Sequence, residues 1–65
     1  MFSVNLMRGN TSIELIGVKV SQGEATALAR EWKQRFGFEG MERILVISVE
    51  SGEIVYSLYN HNYKG

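Results

Sequence analysis

The chain has 65 residues, with seven Lys and Arg balanced by seven Glu, and it contains no Asp, Cys or Pro. Without cysteine, and with a single histidine, a zinc finger, an iron–sulfur cluster and a disulfide scaffold are excluded; a net charge of zero argues against a protein held to nucleic acid mainly by charge. A domain this short buries only about 60% of the surface its unfolded chain exposes, so either a very regular fold or a second chain must complete the core.

The first segment alternates. Phe2, Val4 and Leu6 share one face, and Ser3, Asn5 and Met7 share the other. Gly9-Asn10 is a two-residue hairpin turn, since glycine accepts positive φ at the first central position. The register this turn sets puts Leu6 across from Ile13, Val4 across from Leu15 and Phe2 across from Gly17. The alternation then changes phase, which a bulge at Ile16-Gly17 explains. Ser21 and Glu24 have the spacing of a capping box. Ala25, Leu28, Ala29, Trp32 and Phe36 follow as one stripe at helical spacing, with Trp32 expected at the centre of the helix–sheet contact. Gly37 is the expected left-handed residue past the helix end, with Phe38 folding back onto Trp32. Residues 42–50 and 53–59 are rich in β-branched and aromatic side chains. A two-residue Ser51-Gly52 loop between them pairs Val49 with Ile54, Ile47 with Tyr56 and Leu45 with Leu58.

These elements predict one α+β domain over residues 1–65 in the order β-β-α-β-β. Strands are expected at 2–8, 11–20, 42–50 and 53–59, a helix at 22–36 and a polar tail at 60–65. One four-stranded antiparallel sheet follows, in strand order 2-1-3-4, with the helix packed on one face. Ser3, Asn5 and Arg8 interrupt any apolar leader. The longest unbroken apolar run, Ile44 to Ile47, falls far short of a membrane span. A cytoplasmic protein that does not engage membranes is the expectation.

Little catalytic chemistry is present. His61 is the one imidazole and lies between two asparagines. Glu50 and Glu53 flank a turn and read as a solvated hairpin tip. No phosphate-cradling glycine loop or nucleophile elbow occurs. The chain is therefore expected to be no enzyme and to hold no cofactor and no metal. Two surfaces remain. The hairpin register above turns Ile44, Val46, Val55 and Tyr59 away from the helix, with Met7 and Ile16 at the margins. A contiguous exposed apolar patch calls for an explanation, and a protein partner or a twofold second copy would cover it. The alternative is a small nucleic-acid-binding regulator. It would use Arg30, Lys33 and Arg35 on the helix and Tyr63 and Lys64 in the tail, because aromatics among basic residues stack bases. In size and layout, with no motif, the chain resembles the small proteins by which bacteriophages and other mobile elements bind and inhibit host machinery. That resemblance implies an inhibitor acting by surface contact; the expected homodimer follows instead from the outward apolar patch.

Overall fold

Phe2, Val4 and Leu6 turn one face of β1 (Phe2–Arg8) inward, in a computed structural model that describes residues 1–61. Gly9, at φ 62°, and Asn10 make the two-residue turn into β2 (Thr11–Lys19), with Arg8 paired to Thr11. Helix α1 (Gln22–Phe36) follows, then β3 (Glu42–Ser48) and β4 (Ile54–Tyr59). The four strands form one antiparallel sheet in the order β2-β1-β3-β4 with α1 on one face. This is the α+β fold and the strand order expected from the sequence. The second hairpin is shorter than expected, β3 ending at Ser48 and β4 beginning at Ile54.

Local chemistry fixes the helix ends. The Ser21 hydroxyl accepts from the Glu24 N–H at 3.2 Å, satisfying a donor that the first turn leaves unpaired. At the other end Gly37 adopts φ 71° and its N–H donates to the Lys33 carbonyl at 2.8 Å. Ser21→Ala and Gly37→Ala are each expected to lower the unfolding free energy by about 1 kcal/mol, the first by losing the cap and the second by forcing a Cβ into a left-handed backbone. Denaturant titration reads both, and two neutral substitutions would misplace the helix.

The helix approaches the sheet through its smallest side chains. Ala25 and Ala29 are fully buried against Val4, Leu6, Ile44 and Val46. Gly17 faces them, and a Cβ there would stand 2.8 Å from Leu28 Cδ2. Trp32 is therefore not the centre of the contact. It is half-buried at the margin, its ring 5.0 Å from Phe36 and 6.4 Å from Phe38. Phe38 does fold back as expected, while Phe36 is 65% exposed.

Two registers differ from those expected. In the second hairpin Ile44 pairs with Leu58 and Val46 with Tyr56. The loop is four residues long, Val49 to Gly52. It is closed by Ser48 N–H to the Glu53 carbonyl (2.9 Å) and Gly52 N–H to the Ser48 carbonyl (2.7 Å), with Gly52 at φ 75°. A bulge beside Ile47, at Val55, absorbs the odd residue. The pairing has slipped by one, and a one-residue slip exchanges the faces of a strand. Ile44 and Val46 consequently lie under the helix, 0% exposed, and Val55 packs against the same core. Leu45 and Ile47, expected beneath the helix, stand on the opposite face. In the first hairpin two bulges occur, at Ile13 and Ile16. The first sends Leu15 to the helix-free face. The second restores the phase and brings Gly17, rather than Leu15, opposite Val4. Ile13 and Leu15, which the expected register set on the inward face opposite Leu6 and Val4, and Val49 and Ile54, which it paired on the helix side, are exposed.

Candidate functional site

The registers build the helix-free face in three rows across β2, β1, β3 and β4. The first is Ser12, Met7, Arg43 and Tyr59; the second is Leu15, Asn5, Leu45 and Ser57; the third is Val18, Ser3, Ile47 and Ile54. Of these twelve positions one carries a charge, Arg43. A sheet face left to water ordinarily alternates toward charged and polar residues. Here Leu15, Val18, Ile54 and Tyr59 stand exposed at the two edges, and Leu45 fills the middle at 5% exposure. The polar residues at the centre are satisfied locally. The Asn5 amide donates to Ser3 Oγ at 2.9 Å, and Ser3 Oγ to the Ile47 carbonyl at 3.5 Å. Covering this face would strand few polar groups.

Arg43 is the exception. Its guanidinium lies over the Tyr59 ring, 6.0 Å from the centroid. Its Nε is buried without a hydrogen-bond partner, a group that costs about 1–3 kcal/mol when left unpaired. Beside it a cleft of about 350 Å³ opens between the first turn, the loop before β3 and the end of β4. Asn10, Gly40, Glu42, Tyr59 and Asn60 line it with Arg43. The Asn60 amide donates to the Gly40 carbonyl at 3.0 Å, tying the end of β4 to that loop.

The adjacent cation is paired. Arg8 donates to Glu42 Oε2 at 2.9 Å, while the Glu39 N–H donates to Glu42 Oε1 at 2.8 Å. The Glu39 N–H first, and then Arg8, hold the Glu42 carboxyl below its ordinary value of 4.5. The folded carboxylate binds a proton less tightly than the unfolded one, so its stabilisation is fully present above that ordinary value. It is lost as the pH falls through the depressed value. Glu42→Gln is expected to reduce stability by about 1 kcal/mol at neutral pH and to flatten the loss of stability on acidification. Denaturant midpoints measured across the acid range check this, and parallel curves for the two proteins would contradict it.

Of the four residues expected to form the outward patch, the structure leaves only Tyr59 there, 50% exposed. Ile44, Val46 and Val55 belong to the core side, and Ile16 packs against the core as well. Met7 lies on the helix-free face as expected. The expected basic cluster on the helix is divided. Arg30 and Lys33 border a shallow groove with Gln34, Tyr56 and Leu58, whereas Arg35 sits on the other flank with Glu31, Trp32 and Phe36. The Lys33 ammonium lies 5.7 Å from the Phe38 ring centroid. Tyr63 and Lys64 lie outside the described residues. His61, Glu50 and Glu53 are exposed, and among the described residues no group of three or more His, Cys, Asp or Glu is placed to hold a metal ion. No helix of the described residues is long and apolar enough to cross a membrane.

Sequence reasoning missed Leu15, Val18, Arg43, Ile47 and Ile54 as surface residues, and it assigned Leu45, which is buried as expected, to the other face of the sheet. The available signal was Gly52. A glycine at the last position of a four-residue loop serves the left-handed turn as well as one in a two-residue loop, and the longer loop reverses every assignment on β3. No family model, no curated protein and no solved structure matches the chain.

Proposed function

We propose that the chain is a small protein-binding module that acts by covering a surface of a macromolecular partner with the helix-free face of its sheet. The observation that carries this reading is the composition of that face: twelve positions, one charge, and its polar centre hydrogen-bonded within itself. Exposed apolar side chains on both edges, about a centre whose polar groups are already paired, can be covered at little desolvation cost. The face offers no acid–base pair, since it carries no His, Asp or Glu. A rigid sheet that binds without large rearrangement suits an inhibitor occluding a partner's working surface. The nucleic-acid alternative is less well supported, because Arg30 and Lys33 stand on one flank of α1 and Arg35 on the other.

Site-specific photo-crosslinking tests the reading. With the photoreactive residue at Leu15 or Ile54, a discrete protein adduct should form in cells that express the chain. With it at Gln34, on the helix side, the adduct should be absent. Adducts from Gln34 alone, or from none of the three, would contradict the assignment of the face.

A further inference from the structure

The contact surface proposed above carries a single charge, and among the described residues that charge has no counter-ion. The Arg43 side chain makes no hydrogen bond or ion pair there; it lies against the Tyr59 ring. The nearby acid, Glu42, is committed to Arg8 and to the Glu39 N–H. Of the guanidinium nitrogens, Nε is buried without a partner. Arg43 lines, with the already paired Glu42, a cleft of about 350 Å³, roomy enough for an acidic side chain. When a partner covers the surrounding apolar residues, water is excluded and the unpaired guanidinium becomes costly. The same loss of dielectric screening strengthens a carboxylate placed against it. Guanidinium and carboxylate match as planar forks with parallel N–H···O bonds.

Resting on that reading of the face, we propose that Arg43 is its specificity anchor and that the partner is a protein segment presenting one carboxylate among apolar side chains. Charge complementarity decides between this occupant and a twofold copy of the chain. A second copy offers the same face, with Arg43 and no acid, so face-to-face pairing would enclose two guanidinium groups with no carboxylate between them. It also decides against a nucleic acid. Phosphate binding draws on many cations along a backbone, and among the described residues this face has one.

Selection of a random dodecapeptide library on the intact protein tests the proposal. Enriched peptides should share an Asp or Glu flanked by apolar residues. For a synthetic peptide so chosen, affinity should fall about ten- to hundredfold when its acid is changed to the amide, and equally with Arg43→Gln. Combining the two changes should cost no more than either alone, because they remove one interaction. Arg43→Lys should recover part of the loss, and an unchanged thermal melt for Arg43→Gln excludes misfolding. Apolar peptides that lose binding with Ile47→Glu but keep it with Arg43→Gln would overturn the anchor and leave the contact face standing. A library that yields no peptide sensitive to either change would overturn both. Arg43-dependent binding of a fluorescent oligonucleotide would overturn the proposal in favour of phosphate. A sedimenting dimer that Ile47→Glu dissociates would overturn it in favour of a second copy.

Discussion

Val46→Lys is expected to unfold the domain. Val46 is 0% exposed, held between Ala25 and Ala29 of the helix and the neighbouring strands. An ammonium there has no carboxylate to meet and no route to water, and burying an unpaired charge costs several kcal/mol after relaxation. A core of this size supplies only about 3–5 kcal/mol of net stability, so the substitution should exceed the whole of it. Circular dichroism should show no cooperative melt, and the amide spectrum should collapse to poor dispersion. A variant melting near the wild-type temperature would mean that β3 presents Val46 to solvent, as the two-residue loop implies.

One position along, the expected result is the opposite. Ile47→Glu should fold, with a loss of about 1 kcal/mol or less, because Ile47 is partly exposed on the helix-free face between Ser3 and Ile54. Its effect should fall on binding instead. A carboxylate in the middle of the contact must be desolvated against the partner's apolar side chains and adds a like charge to the one the partner presents, which should weaken partner binding by about a hundredfold. The crosslink from Ile54 should disappear while the melt survives. Loss of both together would make Ile47 a structural residue and remove the evidence for a separate contact face. Adjacent residues with opposite consequences are the signature of a strand covered on one side only.

The sequence made the elements legible and the faces only in part. The bounds of helix α1 could be read to the residue because their signals are local: Ser21 caps one end and Gly37 stops the other; the stripe marked the packed side, but its centre is Ala25 and Ala29 rather than Trp32. Strand order followed from connection length and handedness. Side-chain direction on β3 did not follow, since both of its faces are apolar. Ile44 and Val46 on one side and Leu45 and Ile47 on the other leave alternation with nothing to choose between. The choice then fell to loop length, which Ser51-Gly52 leaves open. In β2 the bulge at Ile16 is legible as a change of phase before Val18, whereas the one at Ile13 is not, because Ile13 and Leu15 continue an apolar alternation across it. Only the Gly17–Leu28 approach shows why the second is there: the helix needs a position without a side chain opposite Val4. Arg43 escaped notice for a similar reason. Its significance lies in what surrounds it, a face without acids, and that surrounding exists only once four strands are in register.

Methyl chemical shifts of the intact protein, recorded with a peptide selected on it, test the central claim most directly. Methyls on the two sides of the sheet are separated by the backbone layer and report independently. The account predicts shifts at Leu15, Val18, Leu45, Ile47 and Ile54, with Ile16, Leu28, Ile44 and Val46 undisturbed. Shifts concentrated at Leu28 and the aromatic margin around Trp32, with Leu45 and Ile47 silent, would contradict it and move the binding surface to the helix.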